Sequence, residues 1–271
     1  METILLNFVD NEQCDVISIS DRGLAYGDGC FTTALVVNGQ VIMQQQHLTR
    51  LKQQSQRLGL SEVNIDAIAE KMQAASCGIK KGVIKVIVTS GSGGRGYSRL
   101  GVNQCCVIVS QHPYPSIYTQ WQKVGISVGI SQQQLGINPM LAGLKHLNRL
   151  EQVLLRQELD KREEDDLLVT DINGHIVECC SANVFWQKNN QWYTPSLNTA
   201  GVAGLMRDKI ISGNETIIQG SYQLADIDNI DAMFISNAIL GIVPVHSFNL
   251  KTLDISLVQN IQRSILSTIE K

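Results

Sequence analysis

The residue best suited to covalent chemistry is the lysine at position 145. Lys145 follows the apolar residues LAGL and stands where a helix is predicted to begin. Burial disfavours a charged amine, and so does the positive end of a helix dipole. Both effects favour the neutral amine that a Schiff-base lysine requires. A lysine in such a stretch is more commonly solvated, and the local sequence leaves both interpretations open.

An acidic residue and a glycine turn have the chemistry to complete such a site. Glu178 lies within the strand-like run HIVECCSANVFW, where a lone acid is uncommon. It is either an edge-strand charge that faces water or a carboxylate that keeps a cofactor nitrogen protonated. The turn GVAG, residues 201–204, leads into the helical run LMRDKII. Helix N-termini bind anions, although ordinary helix caps have similar sequences.

A glycine-rich segment, GSGGRG at residues 91–96, follows a predicted strand. It matches the pattern G-x-G-x-x-G, but a second strand follows instead of a helix, which disfavours a dinucleotide site. The segment is either a simple connection or a substrate loop that presents Arg95 and Tyr97. The five histidines lack metal-ligand spacing and no G-x-S-x-G occurs, so we predict neither a metal site nor a serine hydrolase.

The composition is typical of an ordinary globular protein. The chain has 271 residues, of which 44% are apolar, and a formal net charge of −3. Since no basic stripe is present, a nucleic-acid partner is not expected. The N-terminus lacks the features of a secretory signal, and no apolar run is long enough for a membrane span. Seven cysteines without a C-x-x-C motif indicate a reducing compartment, the cytoplasm.

The elements that must position these residues alternate irregularly between strands and helices. Asn38-Gly39 separates two β-rich runs and predicts a hairpin. Two prolines in HPYPS, residues 112–116, mark a predicted domain boundary. Beyond it, leucine spacing predicts a helix from about Leu147 to Leu159, and further hairpin signals follow. We therefore predict an α+β fold with two mixed domains, a smaller one over residues 1–114 and a larger one over residues 115–271.

Taken together, these segments resemble the fold-type IV pyridoxal phosphate enzymes, which include branched-chain and D-amino acid aminotransferases and aminodeoxychorismate lyases. The similar segments occur in the family's order and cover nearly the whole chain: DRGLAYGDGCFTT, HLTRL, LAGLKHLNRLEQVL, ECCSANVF, GVAG and SNAILGIVPV. Within the family, YGDGCFTT, SGSGGRGYS and the lysine segment are most similar to the lyases. Thr32, Thr33 and Leu150 stand where branched-chain enzymes carry an acid, a glycine and a tyrosine, which argues against that class.

The resemblance implies pyridoxal 5'-phosphate as the cofactor, bound by the C-terminal domain. Lys145 would form the Schiff base and exchange the substrate proton, and Glu178 would pair with the pyridine nitrogen. Arg50 would bind the phosphate through its planar fork of donors, although taken alone it is equally well a solvated helix residue. The further phosphate contacts that the resemblance implies are Val202, Ala203, Asn237 and Ala238.

The implied reaction is that of a carbon–oxygen lyase of folate biosynthesis, which converts 4-amino-4-deoxychorismate to 4-aminobenzoate and pyruvate. Phe31 and Thr33 share one face of a strand, so we expect Phe31 to line the substrate site and Thr33 to act near the leaving group. Arg95, beside Tyr97, would receive a substrate carboxylate, across the interface of the homodimer that is usual in the family. A D-amino acid or related aminotransferase would use the same lysine and glutamate, and it stays open. A non-enzymatic binding protein is disfavoured because both residues are present.

Overall fold

The structure is a computed structural model that describes residues 6–10, 12–214 and 216–269, with side chains up to residue 264. It divides into two compact units. The first comprises residues up to Tyr114 together with Lys145–Asn148, and the second comprises Pro115–Leu144 and the residues from Arg149 onward. A sequence division at residue 114 places the four residues Lys145–Asn148 in the second domain, whereas in the structure they pack in the first unit.

The elements of the first unit are β1 (Asn7–Val9), β2 (Glu12–Gln13), α1 (Arg22–Tyr26), β3 (Gly29–Val37), β4 (Gln40–Val41), α2 (Gln44–Arg57), α3 (Ile65–Ser76), β5 (Lys81–Thr89) and β6 (Cys106–Pro113).

The elements of the second unit are α4 (Ile117–Val124), β7 (Ile126–Ile130), α5 (Leu150–Leu159), β8 (Asp166–Thr170), β9 (Ile176–Cys179), β10 (Asn183–Lys188), β11 (Gln191–Pro195), α6 (Leu205–Ser212), β12 (Ile218–Gly220), β13 (Ala232–Asn237), β14 (Gly241–Phe248), β15 (Lys251–Thr252) and α7 (Ser256–Ile269). Both units mix helices with a sheet, which confirms the predicted α+β class.

In the part of the chain that the structure describes, the first unit contains a six-stranded sheet with the strand order β2-β1-β6-β5-β3-β4. Strands β3 and β5 are antiparallel along their full length. Alternate residues of β3, including Ala34 and Val36, are fully buried against Leu51 of α2 and Met72 of α3. The turn between β3 and β4 has positive φ at both Asn38 and Gly39, which confirms the predicted type I′ hairpin.

Strand β4 pairs with only the last residues of β3. The opposite end of that β3 edge is covered by residues far away in the sequence. The amide of Phe31 donates to the carbonyl oxygen of Lys145 (2.9 Å), and the amide of Leu147 donates to the carbonyl oxygen of Gly29 (3.0 Å). Because residues 145–147 are extended along β3, the helix that follows begins at Leu150 and not near Leu147. Lys145 therefore does not lie at the start of this helix, and the predicted effect of a helix dipole on its amine is wrong.

The second unit contains a larger sheet with the strand order β12-β11-β10-β13-β14-β7-β8-β9 and with β15 paired to β14. Its core includes stacked rings of Phe185 and Phe234, whose centroids are 4.7 Å apart. The hairpins predicted from sequence are antiparallel, as β10 and β11 illustrate. Strand β7 differs, because it lies parallel to both β14 and β8, which are distant in the sequence. Among the described residues, no helix has the length and apolar character needed to cross a bilayer.

Among the buried carboxyl groups of the second unit, Asp166 has a raised pKa. Asp166, the first residue of β8, is 4% exposed, and its Oδ1 accepts hydrogen bonds from the amides of Leu167 (2.8 Å) and Cys180 (3.0 Å). Burial raises the pKa of Asp166 to about 6, and the two amides only partly oppose that rise. The native protein therefore binds a proton here at pH values where the unfolded chain has released it.

We predict that replacement of Asp166 by Asn changes the pH dependence of stability. Since the native pKa of Asp166 is raised, ionisation of this carboxyl destabilises the wild-type fold as the pH rises from about 4 to about 6. Relative to wild type, Asp166→Asn should gain stability over that interval, by up to about 3 kcal/mol. Urea unfolding at several pH values measures the difference, with the exposed Asp228→Asn as the control. A difference that does not vary with pH would contradict the prediction.

Candidate active site

The main chain of Lys145 is held from both sides in the first unit. Its carbonyl oxygen accepts from the Phe31 amide, and its own amide donates to Oε1 of Gln54 on α2 (3.2 Å). The side chain is half-buried, and its Nζ lies 4.6 Å from the centre of the Phe31 ring. Glycine is required at position 29, because a Cβ there would lie 2.2 Å from the carbonyl oxygen of Val88 on β5 and 2.9 Å from Cδ1 of Leu147 in the lysine segment. The fold thus fixes the position of the predicted reactive lysine.

Helix α2 brings a histidine and an arginine close to this lysine. His47 is fully buried, and its Nδ1 lies 2.6 Å from Oγ1 of Thr32 on β3. Burial, followed by the positive charges of Arg50 and Lys145, lowers the pKa of His47 to about 3. The imidazole is therefore neutral at physiological pH. Arg50 is also buried, at 8% exposure, so the interpretation of Arg50 as a solvated helix residue is wrong.

Phe31 and Thr33 share one face of β3, as the strand alternation predicts. Phe31 and Thr33 are both half-buried, whereas Thr32 between them is completely buried and points to His47. The Phe31 ring lies near a second lysine as well, with the Nζ of Lys85 5.0 Å from its centre. Phe31 thus lies next to Lys145, as expected of a residue that lines the same site. The substrate roles of Phe31 and Thr33 stay predictions.

Two arginines shape the glycine-rich loop of the first unit. The guanidinium of Arg22, which is 4% exposed, donates to the main-chain carbonyls of Gly93, Gly96, Tyr97 and Ser98. Arg22 also pairs with Asp28 (2.9 Å), and Arg99 pairs with the same carboxylate.

Burial acts to raise the pKa of Asp28, but hydrogen bonds and charges from Arg99 and Arg22 outweigh it, so that this pKa lies below its ordinary value. Asp28 is therefore a fixed anion that holds both arginines. While Arg22 bonds the main-chain carbonyls of the loop, the side chains of Arg95 and Tyr97 are exposed on it. This arrangement favours a loop that presents side chains over a simple connection.

The second unit holds the predicted carboxylate. Glu178 on β9 is 6% exposed, so the interpretation of an edge-strand charge that faces water is wrong. Its Oε2 accepts a hydrogen bond from the amide of Val202, at 3.0 Å, in the turn of residues 201–204. Gly201 begins this turn with a φ of 82°, in the region that favours glycine. A buried acid and a glycine turn are thus in direct contact.

The same turn has two further anchors. Asn183 on β10 donates from Nδ2 to the carbonyl oxygen of Val202 (2.8 Å) and accepts at Oδ1 from the amide of Gly204 (3.1 Å). Gly143 donates to the carbonyl oxygen of Gly201 (3.0 Å) and accepts from the amide of Ala203 (3.1 Å). Helix α6 then begins at Leu205, as the sequence predicts. The turn is therefore held from β9, from β10 and from the segment that leads to Lys145.

The predicted phosphate contacts in this unit already have local partners. The amides of Val202 and Ala203 donate to Glu178 and to Gly143, so an anion would have to replace these acceptors. Asn237 accepts at Oδ1 from the amides of Ile239 and Leu240 (both 2.8 Å), and this shapes the turn that contains the half-buried Ala238. Phosphate binding by these four residues stays a prediction.

Sequence reasoning did not identify His47, Gln54, Arg22 and Asn183. For His47 and Gln54 a signal was available, because residues 47, 50 and 54 share one face of a helix and only Arg50 was singled out. Arg22 and Asn183 lie within the motifs DRGLAYGDG and ECCSANVF. Their partners are main-chain groups more than fifteen residues away, and no local pattern reveals these.

The chain matches the profile of the Amino-transferase class IV family over residues 29–248. It belongs to the class IV aminotransferase family. The match extends from the first residue of β3 to the last residue of β14, so it includes Lys145, Glu178 and the turn of residues 201–204.

Curated relatives in the class IV family have more than one activity. The chain is 34% identical to an aminodeoxychorismate lyase of Vibrio harveyi, over 84% of this chain and 86% of that protein. It is 27% identical to a putative branched-chain-amino-acid aminotransferase of Methanocaldococcus jannaschii, over 88% and 84%. The family alone therefore does not determine the reaction.

Solved structures give a similar result. The 4-amino-4-deoxychorismate lyase of Pseudomonas aeruginosa superposes with a TM-score of 0.92 at 31% identity, covering 98% of this chain and 100% of that one. The branched-chain amino acid aminotransferase of Escherichia coli gives 0.86 at 18% identity, over 97% and 94%. A hypothetical aminotransferase from Mycobacterium tuberculosis in its PLP-bound form gives 0.83 at 17%, over 97% and 98%. The last two establish similarity of fold only.

We predict that Arg22→Lys loosens the glycine-rich loop. A lysine keeps the charge but cannot reproduce a planar guanidinium that bonds Asp28 and several carbonyls at once. Hydrogen exchange of the amides of Arg95 and Ser98, which bond each other's carbonyl oxygens, should become about ten-fold faster. Mass spectrometry of a peptide that spans the loop measures this, with the exposed Arg263→Lys as the control. Unchanged exchange in the loop would show that Arg22 does not organise it.

Proposed function

We propose that this chain is a pyridoxal 5'-phosphate-dependent lyase that converts 4-amino-4-deoxychorismate into 4-aminobenzoate and pyruvate. The observation that carries the proposal is similarity to two aminodeoxychorismate lyases over most of the chain, at 34% identity in sequence and with a TM-score of 0.92 in structure. The aminotransferases among the compared proteins are less similar, at 27% identity or below. Membership in the class IV family and a PLP-bound neighbour support the cofactor.

The residues of the chain fit this cofactor, which carries an aldehyde, a phosphate and a pyridine nitrogen. The first unit offers the amine of Lys145 and the buried cation Arg50 beside a neutral imidazole. It also offers a fully buried imidazole nitrogen, Nε2 of His47, that has no hydrogen-bond partner among the described residues. The second unit offers the buried carboxylate of Glu178. The amine of Lys145 matches the aldehyde carbon. Arg50 and Nε2 of His47 match the phosphate, and Glu178 matches the ring nitrogen.

In this proposal Lys145 holds the cofactor and Glu178 pairs with its ring nitrogen, which keeps that nitrogen protonated. When bound, the cofactor supplies an electron sink for the substrate carbon that bears the amino group. Arg50 holds the phosphate because its donors form a fork that suits phosphate oxygens. The additional phosphate contacts in the proposal are Val202, Ala203, Asn237 and Ala238.

The chemical work of the protein is then mainly proton transfer and positioning. Lys145 Nζ removes the proton from the carbon that carries the substrate amino group. The carbon–oxygen bond at the neighbouring carbon breaks, and the ring becomes aromatic. The enolpyruvate that leaves takes up one proton to become pyruvate, which balances the proton removed by Lys145. Since aromatisation supplies driving force, the residues need mainly to orient the substrate and move protons.

The substrate side of the site belongs to the first unit in this proposal. Phe31 and Thr33 share one face of β3, and the Phe31 ring lies 4.6 Å from Nζ of Lys145, which supports a role of Thr33 near the leaving group. Arg95 receives a substrate carboxylate, and Tyr97 lies beside it on the loop. Both side chains are exposed, which leaves them accessible to a ligand.

The proposal includes a homodimer and a cytoplasmic location. Ile19, Tyr97 and Leu100 of the first unit are 92%, 90% and 89% exposed, and large exposed apolar side chains favour a protein partner. Sedimentation that gives only the mass of one chain, 29.9 kDa, would remove the dimer from the proposal. The seven cysteines are all free thiols, which supports a reducing compartment.

We expect purified protein to form 4-aminobenzoate and pyruvate in equal amounts from 4-amino-4-deoxychorismate that its synthase makes in situ. Lys145→Ala should abolish both products and the visible absorbance of the bound cofactor. Lys85→Ala removes the other lysine beside Phe31 and should keep that absorbance.

The same assay separates the lyase from the second candidate, a D-amino acid or related aminotransferase. Wild-type protein that carries the cofactor but makes neither product would overturn the lyase. Conversion of the cofactor to its amine form by a D-amino acid, with recovery on addition of 2-oxoglutarate, would then establish the aminotransferase.

The substrate contacts can be tested separately. Thr33→Val, which keeps the shape but removes the hydroxyl, should lower kcat about ten-fold or more if Thr33 acts near the leaving group. Arg95→Ala should raise KM by a similar factor because a charge-assisted contact is lost. The exposed Arg263→Ala serves as the control for loss of a positive charge. Unchanged kcat in the first variant, or unchanged KM in the second, would remove the corresponding role.

A further inference from the structure

His47 has one ring nitrogen that is paired and one that is not. The imidazole is 0% exposed, and its Nδ1 lies 2.6 Å from Oγ1 of Thr32. Its Nε2 has no hydrogen-bond partner among the residues that the structure describes. A buried donor or acceptor without a partner costs about 1–3 kcal/mol, so such an atom in a folded core requires an explanation.

The charges around His47 define what that nitrogen can bind. Those that act on the ring are the cations of Arg50 and Lys145, and both disfavour a protonated imidazole. Arg50 lies three residues further along α2, on the same face of the helix. The buried cation of Arg50, together with the half-buried Lys145 and a neutral ring, attracts an anion more strongly than a neutral acceptor.

The contact between Thr32 and His47 fits a hydrogen bond in either direction, and its direction decides which ring nitrogen carries the proton. When the hydroxyl of Thr32 donates to Nδ1, the proton of the neutral imidazole resides on Nε2. With the hydrogen bond in that direction, the pair Thr32–His47 presents an N–H donor beside Arg50. A neutral donor adds a directed hydrogen bond to an anion without adding a third buried positive charge.

We propose that His47 is a second phosphate ligand of the cofactor site, with Nε2–H donating to a phosphate oxygen beside Arg50, and that Thr32 is the positioning residue that fixes this tautomer. The inference rests on the proposed use of pyridoxal 5'-phosphate. It adds to the phosphate contacts a side chain of the first unit. Because the bond goes to the phosphate, it contributes nothing to the binding of pyridoxal, which has the same ring and aldehyde.

The test compares the binding of pyridoxal 5'-phosphate and of pyridoxal to the apoprotein, followed by the absorbance of the bound cofactor. In His47→Asn the side-chain amide reaches about as far as Nδ1, whereas in His47→Gln it reaches about as far as Nε2. We expect His47→Asn to weaken binding of the phosphorylated cofactor about ten-fold or more. Binding of pyridoxal should change by less than about two-fold, and His47→Gln should restore most of the lost affinity.

Thr32→Val provides a second variant that keeps the imidazole. Without the hydroxyl, the ring is free to carry its proton on Nδ1, so the phosphorylated cofactor should bind more weakly while pyridoxal does not. Thermal unfolding of each apoprotein verifies that it is folded. If His47→Asn does not fold, the other two variants still test the proposal. The phosphorylated cofactor should then bind with nearly wild-type affinity to His47→Gln and more weakly to Thr32→Val.

Equal weakening for both ligands would show that His47 is only structural, and no weakening would show that Nε2 does not contact the phosphate. Either result overturns the inference. Wild-type protein that binds the cofactor but makes no 4-aminobenzoate would overturn the lyase and leave the role of His47 intact. Wild-type protein that binds neither ligand would overturn both.

Discussion

The structure depends on how one short segment of main chain is held. The extended residues 145–147 complete the edge of β3, with hydrogen bonds from Phe31 to Lys145 and from Leu147 to Gly29. Two residues before Lys145, Gly143 exchanges hydrogen bonds with the turn of residues 201–204 in the second unit. Within the first unit, the main-chain position of the lysine is thus set by its pairing with β3 and by its hydrogen bond to Gln54. A flexible side chain can act reproducibly only when its backbone is fixed in this way.

Two buried carboxylates, Asp28 in the first unit and Glu178 in the second, each have specific partners. Asp28 holds two arginines, and Glu178 accepts from the amide of Val202. Burial of an uncompensated charge would cost several kcal/mol, so these partners are a condition for keeping the charges inside the protein. Where positive charges accumulate instead, around His47, the imidazole stays neutral. The first unit therefore concentrates positive charge near Lys145, and the second unit supplies a buried acid.

Local sequence patterns predicted the local features well. The Asn38-Gly39 hairpin, the alternation of Phe31, Thr32 and Thr33, and the helix after residues 201–204 follow from backbone preferences that neighbouring residues express. The features that were mispredicted depend on distant partners. The helix begins later than its leucine spacing predicts, because pairing with β3, more than a hundred residues away, keeps residues 145–147 extended. Glu178 was ambiguous because only the folded sheet determines that its strand is covered on both sides.

The edge of β3 also has a consequence for synthesis of the chain. A ribosome releases the strands of the first unit well before it reaches Lys145, which follows Tyr114 by about thirty residues. Until then the beginning of β3 presents unpaired amide and carbonyl groups, a template on which another nascent chain can add a strand. The segment that carries the predicted reactive lysine therefore also completes the hydrogen bonding of this edge, late in the synthesis of the chain. A fragment that stops at residue 114 would retain the open edge permanently, and aggregation is its expected fate.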